Sequence, residues 1–312
     1  MLSAEMQIAL VINRSAGGFR RHRLAATVAA IRAAFEAAGH RVDLWVVGRR
    51  ELPGCLAAQA LRPDLDAVVV GGGDGTILAA VDHGLGRDRP LGILPLGTLN
   101  LFARDIGLPL DPVAAAAAVA TARPGAIDLA ELNGRPFAIW AALGLHPWVV
   151  RRRDHLQRRG WRKAPAMALA LLRGLLRWAP MTLTLRLDDA APRTVATPLL
   201  VVSNNAWREE TPPLSRDSLA GGRLEVLVAD CPGRLALLAL AVETLCGRWR
   251  GSPRLRRFSA RELRIDPPSR RALVSLDGEV AVLAAPLRLR VRPRALRVLM
   301  PAGRNPAGGG RG

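Results

Sequence analysis

The chain has 312 residues, half of them hydrophobic, 30 glycines and a formal charge of +19, with Lys163 its only lysine. That length supports two domains with a sizeable core, and the composition is that of α/β architecture rather than disorder. No run reaches the ~18 uncharged residues of a membrane-spanning helix. Nor does Glu5 or Gln7 fit the start of a signal peptide, so a cytoplasmic protein is expected. Cys55, Cys231 and Cys246 are odd in number and far apart, which argues against a disulfide framework or a zinc site.

In chain order, residues 7–13 (QIALVIN) predict a first strand, followed by the turn Arg14-Ser15-Ala16-Gly17-Gly18. A helix over 24–38 ends at Gly39 as its C-cap, and 41–47 predict a second strand. Residues 51–61 read as a short helix containing proline, 67–70 as the third strand and 91–94 as the fourth. Strands alternating with helices predict a parallel doubly wound sheet, closed by an alanine-rich helix over 111–122.

Two glycine turns in this half carry the chemistry. The first, Gly71-Gly72-Gly73-Asp74-Gly75-Thr76, lies between a β-branched run and a helix start. Glycines let backbone approach a ligand closely, and helix N-terminal N–H groups attract anions, so the arrangement suggests a phosphate cradle. It is not a Walker loop, because the Gly-Lys-Ser/Thr ending is absent. It is not GxGxxG either, because Thr76 stands where the last glycine belongs. The second turn, Pro95-Leu96-Gly97-Thr98-Leu99-Asn100, again joins a strand to a helix, here beginning with Leu101-Phe102-Ala103-Arg104. Both turns lie at strand C-terminal ends, where open α/β sheets bind ligands.

Beyond residue 124 the rhythm changes to short strands. Segments 126–133 and 135–143 flank Asn133-Gly134, a strong hairpin signal. Further strands are predicted over 181–187, 194–203, 223–229, 262–266, 272–276, 287–291 and 296–300, the last of them returning toward the first domain. This is a mostly antiparallel β domain. The predicted division is 1–124, 125–301 and a Gly/Pro-rich, disordered tail over 302–312. Two segments interrupt the strands: the basic stretch 151–163 followed by an apolar helix over 164–178, and an apolar helix over 235–246. Arginines beside Trp148, Trp161 and Trp178 fit a lipid interface as well as a solvated helix face.

The two glycine motifs together, GGDGT and PLGTLNLFAR some twenty residues on, resemble the diacylglycerol kinase catalytic-domain family, the bacterial lipid kinases related to sphingosine kinases. More weakly, the resemblance runs from Ile8 to Pro301. It implies a β-sandwich in the C-terminal half and an ATP-dependent lipid kinase that phosphorylates the hydroxyl of diacylglycerol or a similar lipid. The acceptor is expected between the domains, with its acyl chains toward the β domain. Asn13 and Gly17 are implied to touch the nucleotide, although Arg14 replaces the family's proline and Val47 its frequent threonine. Gly72, Gly73, Asp74, Gly75, Thr76 and Thr98 are implied to line the phosphates, with Asn100 bracing its loop. Asp74 is equally placed to cap the helix after it.

A third motif, Ser275-Leu276-Asp277-Gly278-Glu279, matches the family's carboxylate segment. It implies Glu279 as general base toward the lipid hydroxyl, with Asp277 assisting or binding metal. Where the family carries an aspartate for an accessory magnesium, this chain has Gly221. Asp217 is four residues away, so that metal role does not transfer and the accessory site is expected to be lost. Magnesium carried in with ATP is compatible with this reading. The five histidines show no metal-ligand spacing, and no GxSxG elbow is present.

The expected partners are ATP and a lipid at the anionic inner membrane surface, because a strongly basic surface favours anionic partners. Specific nucleic-acid binding is disfavoured: there is no tyrosine, and the five phenylalanines do not interleave with the basic residues. Two alternatives use the same scaffold, an NAD kinase-like enzyme and a non-catalytic nucleotide- or lipid-binding protein.

Overall fold

The computed structural model describes residues 5–17, 24–177, 179–208, 216–304 and 306. The chain forms two compact units. One comprises Met1–Leu129, Ser218–Gly221 and Pro293–Gly312, and the other Ala130–Asp217 and Gly222–Arg292.

The first unit opens with β1 (Gln7–Asn13), an apolar run with six buried residues, as expected for a strand covered on both faces. Helix α1 (Leu24–Ala37) buries Val28, Ile31 and Phe35, one helical stripe, and the chain turns at Gly39 with φ +87°. Strand β2 (Arg41–Val47), α2 (Leu52–Leu61), the fully buried β3 (Ala67–Gly72), α3 (Asp74–Asp82) and β4 (Leu91–Pro95) follow. Then come α4 (Leu101–Asp105) and α5 (Pro112–Ala120). The Asp111 carboxylate caps α5 by accepting the N–H groups of Val113 and Ala114. The strands pair in parallel in the order β2-β1-β3-β4, so their C-terminal ends share one edge.

Strand β5 (Arg123–Leu132) carries the chain into the second unit and pairs with β6 (Arg135–Phe137) across the Asn133-Gly134 turn. The chain continues as β7 (Trp140–Gly144), α6 (Leu145–Arg158), α7 (Lys163–Arg177), β8 (Met181–Leu187), β9 (Arg193–Thr197) and β10 (Leu199–Asn204). It ends with β11 (Leu224–Ala229), α8 (Arg234–Leu245), β12 (Leu255–Ala260), β13 (Glu262–Asp266), β14 (Arg271–Leu276), β15 (Glu279–Ala284) and β16 (Leu287–Met300). One sheet is antiparallel in the order β12-β11-β10-β7-β14-β15, and a second runs β16-β13-β8-β9. Leu143, Val202, Val226 and Val274 of the first sheet share one buried core with Leu185, Leu263 and Leu289 of the second. This is sandwich packing.

Several boundaries differ from the sequence reading. The expected strand over 194–203 is two strands separated at Pro198, which has no N–H to give a ladder. The two expected tail strands are one, β16, whose last residues pair in parallel with the first unit (Val298↔Leu91). The division therefore falls at Leu129/Ala130 rather than 124/125, and residues from Pro293 belong to the first unit. Of the tail 302–312, residues 305 and 307–312 lie outside the described residues, as does Trp178. The described part is held in place: Arg304 donates to the Asp105 carbonyl at 2.7 Å, and the Pro306 carbonyl accepts from Leu219 N–H at 2.8 Å.

Candidate functional site

In the first unit three loops meet at the strand C-terminal ends. After β3 the chain passes through extended Gly73 directly into α3, so Asp74 is its first residue. A side chain at Gly72 would place Cβ 2.3 Å from the Thr76 Cβ, and one at Gly97 would lie 2.4 Å from the Gly73 Cα. Glycine is thus required for the two motif loops to approach each other. The Thr76 hydroxyl oxygen accepts a hydrogen bond from Asn13 Nδ2 at 3.0 Å, tying the first loop to the end of β1. Asn13 Oδ1 accepts the Ser15 N–H at 3.0 Å and shapes the turn that leads to Gly17. A Cβ on Gly17 would be 3.5 Å from Thr98 Oγ1, so those two positions adjoin.

The second loop is held by Asn100, which adopts a left-handed backbone (φ +49°). Its Oδ1 accepts the Gly97 N–H at 2.8 Å, and its Nδ2 donates to the Gly97 carbonyl at 3.1 Å. Asp74 does not cap its own helix: its Oδ1 accepts the Phe102 N–H at 3.1 Å, bridging the GGDGT loop to the helix after the second motif. Asn13, Gly17, Gly72, Gly73, Asp74, Gly75, Thr76 and Thr98 thus lie on loops and a helix start that the structure brings together. Two departures are local. Arg14 pairs with Glu51 at 3.3 Å, and buried Val47 lies opposite Asn13 in the β1–β2 register.

Asp277 and Glu279 lie in the second unit. Asp277 and Gly278 both have positive φ (+47° and +88°), forming a two-residue turn between β14 and β15 with Leu276 opposite Glu279. The Asp277 carboxylate accepts three backbone N–H groups, from Ala138 (2.7 Å), Ile139 (2.9 Å) and Trp140 (2.8 Å). The buried Arg216 donates to the Ala138 and Asn204 carbonyls at 2.5 and 3.0 Å. Burial pushes the Asp277 carboxyl up to about 6, opposed by the three N–H donors and the Arg216 charge. With both oxygens engaged, Asp277 fixes the turn against residues 138–140. Glu279, two residues on, is exposed.

The sequence reading did not single out the next feature. Within the second unit lies an apolar cavity of about 630 Å³, lined by Trp140, His146, Leu175, Val201, Trp207 and Leu240 among others. Its main polar side chain is His146, whose Nδ1 is buried without a hydrogen-bond partner. Burial, with the Arg153 charge second, holds His146 down at about 4. Only its neighbourhood identifies it, because a histidine at a strand–helix junction has no sequence signature.

Among the described residues, no group of three or more His, Cys, Asp or Glu side chains is arranged to hold a metal ion. Gly221 supplies no ligand, and the Asp217 carboxylate is largely exposed. An all-protein magnesium cage does not fit these residues. A magnesium ion would be one carried by nucleotide phosphates, a common way for this ion to be bound.

The profile for the diacylglycerol kinase catalytic domain matches residues 7–132, and that for the YegS C-terminal NAD kinase beta sandwich-like domain matches residues 141–300. A "Diacylglycerol kinase" of Mycobacterium tuberculosis (strain H37Rv) is 30% identical over 254 residues, 79% of this chain and 80% of that protein. A "Probable lipid kinase YegS-like" of Pseudomonas aeruginosa (strain PAO1) is 48% identical over 93 residues. That match spans 28% of this chain and 30% of the relative's length. A solved structure from Bacillus anthracis str. Sterne, provisionally named a diacylglycerol kinase, superposes with a TM-score of 0.77 at 19% identity. It covers 96% of this chain and 97% of that one, a likeness of fold. The two matched domains and the relative aligned along most of its length place this chain in the diacylglycerol kinase catalytic-domain family.

Proposed function

We propose that the protein is an ATP-dependent lipid kinase that transfers the γ-phosphoryl group to the hydroxyl of diacylglycerol or a similar lipid. The observation that carries this reading is the junction of the two glycine motifs, fixed by the Asp74–Phe102 hydrogen bond and the Gly73–Gly97 approach. Phosphoryl transfer needs its phosphates positioned and little covalent help. On this reading the Gly72–Thr76 loop and the α3 N-terminus line the phosphates, helped by Asn13, Gly17 and Thr98. The acceptor oxygen attacks the γ-phosphorus, the bond to the β,γ-bridging oxygen breaks, and ADP leaves. Glu279 takes the hydroxyl proton and Asp277 fixes the turn that presents it.

The apolar cavity favours a lipid acceptor over NAD, whose ribose and phosphates require polar partners that this lining lacks. A membrane partner is supported by α8, where Leu235 is 83% and Leu245 is 73% exposed, on a chain of charge +19. No helix among the described residues is long and apolar enough to cross a membrane. We place the working enzyme at the inner membrane surface, attached peripherally. Transfer of labelled phosphate from ATP to a panel of lipid alcohols in mixed micelles, with NAD as a parallel acceptor, tests the reading. A labelled lipid supports it; labelled NADP with no labelled lipid overturns it.

A further inference from the structure

The two motif loops of the first unit carry no cation. Among the described residues 72–76 and 97–100 the only charged side chain is Asp74, an anion whose Oδ1 accepts the Phe102 N–H. Arg104 of α4 is tied back to the Leu99 carbonyl at 3.0 Å. Backbone N–H groups and a helix N-terminus supply partial positive charge. Phosphoryl transfer calls for more than that around the phosphates.

A neighbouring loop carries one. Arg14 follows Asn13, whose Nδ2 reaches Thr76 of the first motif, and it stands where the family carries a proline. Its N–H, which a proline lacks, donates to the Val47 carbonyl at 3.0 Å and anchors the backbone to the end of β2. The guanidinium lies against Gly48, just past that strand, where a Cβ would be 3.2 Å from Arg14 Nη2. It therefore stands at the sheet edge that carries the motif loops. Its hold there is light. A single contact at 3.3 Å joins Nη2 to Glu51 Oε2, and the two side chains are 52% and 59% exposed. That same Oε2 accepts the Gly48 N–H at 2.7 Å, so the backbone fixes Glu51 more firmly than Glu51 fixes Arg14. An exposed single ion pair contributes little, whereas arginine and phosphate make short, often bidentate contacts.

We infer that Arg14 is a nucleotide-contacting residue, whose guanidinium leaves Glu51 when ATP arrives and pairs with the polyphosphate. Glu51 keeps the cation at the site beforehand and competes with the phosphates for it. This rests on the reading of the motif loops as an ATP site, but binding is measured without any lipid. The exchange gives the two members of the ion pair opposite effects on ATP affinity.

The test is calorimetric titration of the intact protein with ATP and magnesium, without lipid, for wild type, Arg14→Gln, Arg14→Lys and Glu51→Gln. Arg14→Gln should weaken ATP binding about tenfold, the loss of one charge-assisted contact. Arg14→Lys keeps the charge without the planar fork and should recover part of that loss. Glu51→Gln keeps an oxygen for the Gly48 N–H and removes only the competing charge, so ATP should bind about two- to fivefold more tightly. A pair that merely braced the loop would give the reverse, weaker ATP binding in Glu51→Gln. Wild-type affinity in Arg14→Gln, or unchanged or weakened affinity in Glu51→Gln, overturns the inference. If the wild-type protein binds no ATP, the nucleotide site fails and the inference with it. If ATP binds with the expected signs but no lipid is ever phosphorylated, the lipid-kinase reading fails and the role of Arg14 stands.

Discussion

The Asp74 carboxylate accepts the backbone N–H of Phe102 at 3.1 Å, joining the two motifs through one hydrogen bond between residues 28 apart. Phe102 is only 2% exposed, so its N–H has little recourse to water if that partner is removed. Asp74→Ala should therefore cost about 1–3 kcal/mol in urea denaturation. Asp74→Asn keeps an oxygen in place and should recover most of that stability. On the kinase reading, its phosphoryl transfer should remain depressed by tenfold or more. Full activity in Asp74→Asn would reduce Asp74 to a purely positioning role.

Gly97→Ala places a Cβ 2.4 Å from the Gly73 Cα, backbone against a side chain that has nowhere to turn. The two loops must separate, at about 1–3 kcal/mol by the usual cost of overpacking. ATP affinity measured by calorimetry should fall sharply in this variant. By contrast, Gly54→Ala, where a Cβ meets nothing and φ is not positive, should leave ATP affinity at the wild-type value. Equal ATP affinity in Gly97→Ala and wild type would contradict the phosphate role of these loops.

His146 and Asp277 titrate in opposite senses over one pH window. Burial holds His146 at about 4, whereas an unfolded histidine titrates near ~6.5. Between those values the unfolded chain binds the extra proton, so this contribution is present above pH ~6.5 and lost as pH falls toward 4. Burial raises Asp277 to about 6 from an unfolded value near ~3.9, so there the native state binds the proton more tightly. Its contribution is full below pH ~3.9 and is lost as pH rises toward 6. Each is worth at most ~3–3.5 kcal/mol, and in the wild type they offset. Urea midpoints from pH 4 to 7 should show Asp277→Asn gaining on wild type as pH rises, and His146→Phe gaining as pH falls. Profiles parallel to wild type in both variants would contradict these assignments.

Leu235 and Leu245 present their side chains to solvent on α8, with Arg234 at the start of the helix and Arg248 three residues past its end. Replacing both leucines with serine should change stability by no more than ~0.5 kcal/mol, as for other exposed positions. It should reduce sedimentation with anionic vesicles at low salt by tenfold or more, given ~1.5–3 kcal/mol per buried leucine. Unchanged vesicle binding would show that the contact lies elsewhere or rests on charge alone.

Where hydrophobic periodicity and turn chemistry were strong, the sequence revealed the fold. Residues 41–47, 181–187 and 262–266 are strands with those bounds, and Asn133-Gly134 and Asp277-Gly278 turn as their residue types require. Strand β12, Leu255–Ala260, escaped because its consecutive arginines at 256 and 257 break the apolar alternation. The tail strand over 296–300 does return to the first unit as its sequence suggests, but its continuity with 287–291 escaped, because β16 is one strand that belongs to both units, which no local pattern encodes. In the site, the glycine motifs were legible because close approach restricts residue type. The bridge from Asp74 to Phe102, the buried Arg216 and the unpartnered His146 were not, since each depends on which distant backbone or ring comes to lie beside it.

The most direct test of the central claim is transfer of radiolabelled phosphate from ATP to diacylglycerol and other lipid alcohols, with wild type measured beside Glu279→Gln. Glu279 is exposed, so the variant should fold with wild-type stability within ~0.5 kcal/mol. Loss of a general base predicts a labelled lipid from the wild type and about 10²–10⁴-fold less from the variant. Equal labelling by the two proteins would contradict the role of Glu279, and no labelled lipid from a wild-type protein that binds ATP would contradict the kinase itself.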